Sequence, residues 1–157
     1  MYKTALFPGS FDPFTIGHES IVNRALPLFD KIIIAIGYNT TKDGFFPLDK
    51  RLEWIKMVFG EVKKVEVTSF NGLTVDFCRE KKAGYILRGL RTSADFEYER
   101  AVAQMNRVML PDIESVFMLT LPDHTHITST IVREIIRLGG DADAFLPQKL
   151  RTKIKAE

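Results

Sequence analysis

Short apolar runs alternate along the chain with longer stretches of helical spacing, and this alternation restricts the fold more than any other sequence feature. Residues 32–36 are apolar at every position and mostly β-branched, which is typical of a central strand covered on both faces. The predicted strands are residues 5–7, 32–36, 65–67, 85–87 and 116–119. Helical stripes fill residues 21–29, 48–59, 96–109 and 131–136, and Gly139-Gly140 is expected to end the last one.

Strands that alternate with helices form parallel sheets with right-handed crossovers. We therefore predict an α/β fold with a single doubly wound, five-stranded parallel sheet and helices on both faces. The length of 157 residues, 45% of them hydrophobic, suits one domain that spans residues 1–157. Sheets of this kind bind ligands beyond the carboxyl ends of their strands, where the strand order reverses.

Charge, cysteine content and hydropathy exclude several classes of protein. The 22 Lys and Arg residues against 20 Asp and Glu leave a net charge of +2, which lacks the concentrated basic face of nucleic-acid-binding proteins. The single cysteine, Cys78, excludes an intramolecular disulfide and is expected to be a small buried hydrophobe. Because no apolar run has the length of a membrane span and the first residues do not resemble a signal peptide, we expect a soluble cytoplasmic protein without membrane or nucleic-acid partners.

Glycines, hydroxyl groups and cations are concentrated in the segments that follow four of the predicted strands. These segments are residues 8–18, 39–42, 88–91 and 122–130. Their side chains are the kind that hold polyphosphates. Neither a Walker A motif nor a Gly-x-Gly-x-x-Gly fingerprint occurs, so the phosphates must be held by helix N-termini together with scattered Arg, Lys and hydroxyl groups.

The tetrapeptide Thr15-Ile16-Gly17-His18 is predicted to open a helix directly after the first strand. Gly17 would leave space for a phosphate to approach the backbone, and His18 would direct its ring at that phosphate. A histidine in the first turn of a helix can also have no role. The T-x-G-H context at the end of a strand favours the functional interpretation.

Three sequence blocks resemble known signatures. Residues 8–13, Pro-Gly-Ser-Phe-Asp-Pro, followed by T-x-G-H resemble the first signature of the nucleotidyltransferases related to class I aminoacyl-tRNA synthetases. Residues 127–133, Ile-Thr-Ser-Thr-Ile-Val-Arg, resemble the second, I-S-S-T-x-x-R, with Thr128 in place of the usual Ser. The block R-G-L-R at 88–91, D-F-E-Y-E at 95–99 and Met105-Asn106-Arg107 is similar specifically to the phosphopantetheine adenylyltransferases. The resemblance extends over nearly the whole chain, through Phe145-Leu146-Pro147.

This resemblance implies a Rossmann-like fold and transfer of the adenylyl group of ATP to 4′-phosphopantetheine, the penultimate step of coenzyme A biosynthesis. The products are dephospho-coenzyme A and pyrophosphate. The acceptor phosphate attacks the α-phosphorus in line, and because it is already anionic near pH 7, positioning and charge stabilisation carry the catalysis. The resemblance further implies Mg²⁺ bound through the ATP phosphates, a homohexamer and feedback inhibition by coenzyme A.

The resemblance also assigns roles to individual residues. His18 would stabilise the transition state, with Lys42 and Arg91 as the other catalytic residues, although the sequence leaves the protonation state of His18 open. The acceptor would be bound by Ser10, Lys42, Thr74 and Arg88, with Thr74 near the pantetheine arm. ATP would be bound by Ser10, Phe11, His18, Gly89, Leu90, Arg91, Glu99, His124, Thr125, His126, Ile127, Thr128, Ser129 and Thr130.

Several of these residues also have ordinary structural explanations. Lys42 could be a solvated loop lysine, Glu99 an exposed helix residue, and the hydroxyls of Ser129 and Thr130 a helix N-cap. His124 and His126 beside Asp123 could suggest a transition-metal site, but no cysteine or further histidine joins them, so no protein metal site is expected.

Two functional alternatives stay open at this point. One is the same chemistry on another acceptor, such as nicotinamide mononucleotide, or glycerol 3-phosphate with CTP. The other is a non-catalytic nucleotide-binding module, since a fold does not determine a function.

Overall fold

The computed structural model describes residues 2–155, and its centre is a five-stranded parallel sheet in the order β3-β2-β1-β4-β5. The strands are β1 Thr4–Gly9, β2 Lys31–Gly37, β3 Val65–Phe70, β4 Tyr85–Leu90 and β5 Glu114–Leu119. The helices are α1 Ile16–Ala25, α2 Leu48–Phe59, α3 Thr74–Lys81, α4 Ser93–Met109 and α5 Ser129–Arg137. Short 3₁₀ turns lie at Pro122–His124, Asp143–Phe145 and Gln148–Leu150. The predicted α/β fold is confirmed.

Both faces of the sheet are buried, which explains why β2 is apolar at every position. Because successive side chains point to opposite faces, Ile32, Ile34 and Ile36 pack with α1, α2 and α5, whereas Ile33 and Ala35 pack on the face covered by α3. Cys78 of α3 is fully buried in this second cluster, and burial raises the pKa of its thiol to about 11. The thiol therefore stays protonated, and the prediction of a buried hydrophobe is confirmed.

The strand order reverses between β1 and β4. The chain first adds β2 and β3 on one side of β1, then returns to place β4 and β5 on the other side. The carboxyl ends of β1 and β4 consequently open a crevice at Gly9 and Leu90, which is where a doubly wound sheet binds its ligands.

Threonine side chains cap the helices that follow β1, β4 and β5. Thr15 accepts a hydrogen bond from the His18 N–H at the start of α1, Thr92 from the Asp95 N–H in α4, and Thr128 from the Ile131 N–H in α5. Three helix N-termini therefore begin at the same edge of the sheet, and each carries the partial positive charge of a helix dipole.

The end of α5 follows the sequence prediction. Gly139 has a φ of 79°, in the left-handed region that glycine adopts without strain. Its N–H donates to the Ile136 carbonyl and the Gly140 N–H donates to the Ile135 carbonyl, which is the Schellman pattern of a helix C-terminus. In the span from residue 2 to residue 155, none of the helices is both long and apolar enough to cross a bilayer.

Candidate active site

A cavity of about 480 Å³, here called the large cavity, lies at the carboxyl edge where β1, β4 and β5 end. Its walls come from the loop after β1, the first turns of α1 and α4, the loop after β4 and residues 120–130. It brings together most of the predicted site residues: Ser10, Phe11, His18, Arg88, Gly89, Arg91, Glu99, His124, Ile127, Thr128, Ser129 and Thr130. His18 and Arg91 thus face one cavity, although they lie in distant parts of the sequence.

A second cavity of about 260 Å³, here called the small cavity, lies between the sheet and α4. Thr74 and Asn106 contribute polar groups to its wall, and apolar residues provide much of the rest: Phe70, Ile86, Val102, Ala103 and Phe117. The two cavities share Pro8, Gly9, Arg88, Tyr98 and Glu99. The site is therefore a pair of compartments that meet at Arg88.

His18 is held by the backbone of the turn that precedes it. The Thr15 N–H donates to Nδ1 of His18 at 3.0 Å, while the Thr15 hydroxyl accepts from the His18 N–H at 3.4 Å. Together these bonds form a capping box with His in the position usually taken by Glu or Gln. Because Nδ1 is the acceptor, the neutral ring carries its proton on Nε2, which remains a hydrogen-bond donor.

The surroundings of His18 favour its neutral form. Burial lowers the pKa of His18 to about 3, and the positive charges of Arg88 and Arg91 act in the same direction. The ring centroids of Phe11 and Phe14 lie 5.0 and 5.3 Å from that of the imidazole. His18 is therefore a neutral donor at physiological pH, a protonation state that the sequence alone left open.

The structure places Arg88 within β4, although the sequence predicted it just after the strand, and Arg91 directly follows β4. Each of these two arginines is held by a carboxylate of α4. Nε and Nη2 of Arg88 donate to Glu99 at 3.1 and 2.8 Å, and Nη1 donates to the Pro8 carbonyl at 2.6 Å. Nε of Arg91 lies 3.3 Å from Asp95, which also accepts the Arg91 backbone N–H at 3.1 Å. Glu99 is only 9% exposed, so the interpretation as an ordinary exposed helix residue is wrong.

The hydroxyl groups of Ser129 and Thr130 do not fit the structural explanation of a helix N-cap. Thr128, and neither Ser129 nor Thr130, is the N-cap of α5. The Ser129 hydroxyl instead donates to the Pro13 carbonyl at 2.9 Å and ties α5 to the loop after β1. Thr130 is exposed and accepts a hydrogen bond from Arg133 at 3.3 Å. The oxygens of Ser129 and Thr130 keep further hydrogen-bonding capacity toward the large cavity that they line.

Five predicted site residues lie outside the large cavity, and four of them line neither cavity. Lys42 is exposed on the loop after β2, and Thr125 and His126 are exposed on the segment after β5. Leu90 is buried at the end of β4. Thr74 lines only the small cavity. The binding and catalytic roles of all the predicted site residues stay predictions.

A buried ion pair that the sequence did not reveal fixes the loop bearing Lys42. The Asp12 carboxylate accepts the N–H groups of Phe45 and Phe46 at 2.7 and 2.9 Å, and Arg51 donates to the carbonyls of Phe46 and Ser10 at 2.9 and 2.8 Å. Asp12 and Arg51 are each 6% exposed. The end of the Lys42 loop is thereby joined to the loop after β1.

Gly17 and His124 lie next to each other at the start of α1. A Cβ atom added at Gly17 would lie 3.5 Å from the Thr15 hydroxyl and 3.9 Å from Cβ of His124, which are ordinary contact distances. The protein itself therefore leaves room for a side chain at position 17, and the space belongs to the large cavity that both residues line. Nδ1 of His124 is buried and, among residues 2–155, finds no hydrogen-bond partner.

Between residues 2 and 155, no group of three or more His, Cys, Asp or Glu side chains is arranged to hold a metal ion. His124 lines the large cavity while His126 is exposed, so the two do not face a common centre. The acidic side chains of the large cavity, Asp95 and Glu99, are both engaged by arginines.

Comparisons with known proteins show which family this chain resembles. A sequence model of the family described as cytidylyltransferase-like matches residues 6–135. Phosphopantetheine adenylyltransferase of Cytophaga hutchinsonii is 49% identical over 150 residues, covering 96% of this chain and 100% of the relative. The enzyme of the same name from Bordetella avium is 50% identical over 143 residues, covering 91% of this chain and 86% of the relative.

The fold is also similar to that of a solved structure. A bifunctional NMN adenylyltransferase/ADP ribose pyrophosphatase from Francisella tularensis aligns with a TM-score of 0.72 at 17% identity, over 93% of this chain and 45% of that chain. At this level of identity the likeness supports the nucleotidyltransferase fold and carries no information about the acceptor.

Proposed function

The chain belongs to the phosphopantetheine adenylyltransferase family, and we propose that it transfers the adenylyl group of ATP to 4′-phosphopantetheine. The products are dephospho-coenzyme A and pyrophosphate, so the reaction is the penultimate step of coenzyme A biosynthesis. One observation carries the proposal most directly: two cavities meet at Arg88, and the larger one holds both His18 and Arg91. Two phosphate-bearing molecules can thus approach each other across one guanidinium.

ATP occupies the large cavity in this proposal. Three helix N-termini begin at its edge and offer backbone N–H groups and partial positive charge to the triphosphate. Arg91, Ser129 and Thr130 bind the β- and γ-phosphates. The remaining contacts to ATP come from predicted residues that line the cavity or flank it: Ser10, Phe11, Gly89, Leu90 and the segment from His124 to Thr128.

The acceptor occupies the small cavity. Its lining combines apolar side chains with the polar groups of Thr74 and Asn106, which suits a pantetheine arm with methyl groups at one end and amides along its length. Ser10 and Arg88 bind the acceptor phosphate at the junction of the cavities. Lys42 approaches that phosphate from the exposed loop that Asp12 joins to the segment after β1.

The reaction is a direct displacement at the α-phosphorus. An oxygen of the acceptor phosphate forms a bond to this phosphorus while the bond to the bridging β-phosphate oxygen breaks, and pyrophosphate leaves with that electron pair. No side chain needs to act as a nucleophile, because the acceptor phosphate is already anionic near pH 7. The Nε2–H of His18 donates to the α-phosphate oxygen on which charge accumulates, with Lys42 and Arg91 as the cations that complete the stabilisation.

Mg²⁺ is proposed to enter with ATP, bound through its phosphate oxygens, where it would neutralise charge on the triphosphate. The arrangement of the described residues supports this mode of binding. The carboxylates of Asp95 and Glu99 are paired with arginines, so the oxygens left for a cation are those of the nucleotide.

The proposal extends to assembly, regulation and location. Exposed apolar side chains of α4, Tyr98, Met105, Val108 and Met109, offer a surface for assembly into a homohexamer. Coenzyme A, which contains the pantetheine and adenylyl parts of both substrates, would act as a feedback inhibitor by binding across the two cavities. A cytoplasmic location is proposed because ATP is available there.

Release of pyrophosphate is the direct test. The protein is incubated with ATP and Mg²⁺, and 4′-phosphopantetheine is compared with nicotinamide mononucleotide, and with glycerol 3-phosphate plus CTP. We expect turnover with 4′-phosphopantetheine and a kcat/KM at least about 100-fold lower with each other acceptor, since most of the small cavity would then be left unfilled. Turnover with another acceptor alone would reassign the substrate. Tight ATP binding without turnover on any acceptor would instead indicate a non-catalytic nucleotide-binding module.

A further inference from the structure

The loop between β2 and α2 carries Lys42 at a tip, residues 39–42, that bonds mainly to itself. Asn39 and Lys42 face each other in an antiparallel bridge. The side chain of Asn39 also accepts from the backbone N–H and the hydroxyl of Thr41, at 3.0 and 2.8 Å. These contacts give the tip its shape but do not tie it to the rest of the protein. The place of the tip is therefore decided at the two ends of the loop.

Backbone hydrogen bonds hold the loop at both ends. At its start, the Tyr38 N–H donates to the Phe70 carbonyl at 3.1 Å, which continues the ladder between β2 and β3. At its end, the N–H groups of Phe45 and Phe46 donate to the two carboxylate oxygens of Asp12. The second end depends on one side chain from a distant segment, so a single substitution can release it.

Arg51 completes this attachment from the first turn of α2. Its guanidinium donates to the carbonyls of Phe46 and Ser10, and its Nε lies 4.0 Å from the Asp12 carboxylate. We call this pair, Asp12 and Arg51, the clamp. A Cβ atom added at Gly44 would lie 2.9 Å from both Nη2 of Arg51 and Oδ2 of Asp12. The main chain of the loop therefore lies against both charges with no room to spare.

The segment that carries Asp12 is fixed to the side of the site proposed for ATP. Arg133 of α5 donates to the Asp12 carbonyl at 2.8 Å, and the Ser129 hydroxyl donates to the neighbouring Pro13 carbonyl at 2.9 Å. Ser129 itself lines the large cavity. The clamp thus fixes the end of the Lys42 loop relative to that cavity.

Stability alone does not account for a buried ion pair at this position. The side chains of Asp12 and Arg51 are 9% and 6% exposed, and removing two charges from water costs about as much as their attraction returns. Apolar side chains could fill the same space. They could not accept two N–H groups of the loop or donate to carbonyls of two separate segments. The clamp therefore provides orientation.

We propose that Asp12 and Arg51 are positioning residues that determine where Lys42 stands over the acceptor phosphate. This inference rests on the proposed function for the identity of that phosphate. The side chain of Lys42 is exposed and flexible, but its reach is limited by where its backbone is held. The clamp holds the chain from Phe45 onward, only three positions beyond Lys42.

The test is Gly44→Ala, which presses a methyl group against both charges and leaves each of them in place. Gly84→Ala is the matched control. Gly84 is also exposed, lies before β4 at the opposite edge of the sheet, and has no described atom within 4 Å of an added Cβ. Asp12→Asn is a second route, because it removes the charge and one of the two acceptor oxygens. Removal of Arg51 would leave the Asp12 carboxylate buried and unpaired, which endangers folding.

Four measurements are made on each variant. Pyrophosphate release gives kcat and the acceptor KM, and calorimetric titration with ATP gives its Kd. Hydrogen exchange followed by mass spectrometry on peptides spanning residues 43–48, in the protein without substrates, reports whether the N–H groups of Phe45 and Phe46 are held. Thermal unfolding confirms that the variant is folded.

Gly44→Ala and Asp12→Asn should each speed the exchange of this segment by about fivefold or more. Each should lower kcat/KM for the acceptor by about tenfold or more, because small misplacements of a positioned group reduce rates by up to about 100-fold. The Kd for ATP should stay within about threefold of wild type, and in a Lys42→Ala background Gly44→Ala should change kcat/KM by less than about twofold. Gly84→Ala should match wild type in every measurement.

Three results would overturn the proposal. Faster exchange with a kcat/KM within about twofold of wild type would show that the place of the loop does not affect the reaction. Unchanged exchange in both Gly44→Ala and Asp12→Asn would show that the clamp does not hold the loop. An equal loss of kcat/KM in the Lys42→Ala background would show that the clamp acts without Lys42. Silence of the wild-type protein with 4′-phosphopantetheine would refute the proposed function instead, and the exchange data would still decide whether the clamp holds the loop.

Discussion

His18 is expected to contribute to turnover and to stability through different atoms of one ring, so two substitutions can separate these effects. Nε2–H faces the reaction as a donor, while Nδ1 accepts the Thr15 N–H at 3.0 Å. His18→Ala removes both functions. His18→Gln keeps an amide oxygen at the helix position where Gln commonly closes a capping box, so it can still accept the Thr15 N–H.

The magnitudes follow from these contacts. Loss of one preorganised donor to a developing negative charge typically lowers kcat by about 10²–10³-fold, or about 3–4 kcal/mol. Thr15 is 2% exposed, so its N–H is left buried without an acceptor in His18→Ala, at a cost of about 1–3 kcal/mol. We therefore expect kcat to fall by at least about 100-fold in both variants, with the free energy of unfolding lowered mainly in His18→Ala.

Two assays measure these quantities. Pyrophosphate release gives kcat and KM, and urea unfolding followed by the fluorescence of the single tryptophan, Trp54, gives the free energy of unfolding. The KM for ATP should change only a few-fold, since the donor acts mainly in the transition state. A kcat within threefold of wild type in either variant would refute the catalytic role. Equal stabilities of His18→Ala and His18→Gln would refute the capping argument.

Three further predictions concern the same site. Gly17→Ala should leave the free energy of unfolding unchanged or raise it by up to about 1 kcal/mol, because the protein leaves room for a Cβ atom at this position. The same substitution should raise the KM for ATP, and an unchanged KM would show that no phosphate approaches Gly17. Lys42→Ala should lower kcat/KM for the acceptor by about tenfold or more, whereas Lys50→Ala, an exposed lysine of α2, should not; equal effects would remove the role of Lys42. Because the pKa of His18 is lowered to about 3 in the folded protein, the unfolded chain binds one more proton than the folded chain between pH 6.5 and about 3. Wild type should therefore lose stability relative to His18→Gln as the pH falls below 6.5. The loss should be at most about 1.4 kcal/mol per pH unit. Parallel urea curves at pH 7.5 and 5 measure this, and an unchanged difference between the two proteins would contradict the neutral state of His18.

The fold could be predicted because its signals are local. The apolar run of β2 and the Gly139-Gly140 stop of α5 each act within a few residues, and both are found where expected. The helix α3 was harder to predict, since its N-cap position is Leu73, which provides no side-chain cap. The helix is absent from the stripes predicted above, and its buried side chains are only Val75, Phe77 and Cys78.

The site residues could be located from their position after strands, but their partners could not. Glu99 was predicted as a ligand from its motif, whereas its contact with Arg88 depends on how α4 packs against β4. The same holds for Asp12, whose partner Arg51 lies 39 positions away in the sequence. Such pairs depend on tertiary packing, and spacing along the chain carries no signal for them.

Lys42 shows the opposite case. The resemblance implies a role for it at the acceptor phosphate, but the loop places it outside both cavities. An exposed lysine has a flexible stem and no buried partner to fix it, so its position responds to the anion it binds more than to the packing of the protein.

Because β1 lies at the centre of the sheet, the protein can become active only at a late stage of folding. Strand β1 pairs with β2 on one side and with β4 on the other, and the Pro8 carbonyl that holds Arg88 is separated from it by 80 positions in the chain. Pairings across so long a loop form slowly compared with local helices. During refolding, the circular dichroism signal of the helices should therefore recover before the ability to release pyrophosphate. A nascent chain whose β4 has not yet left the ribosome should have no junction at which two phosphates could meet.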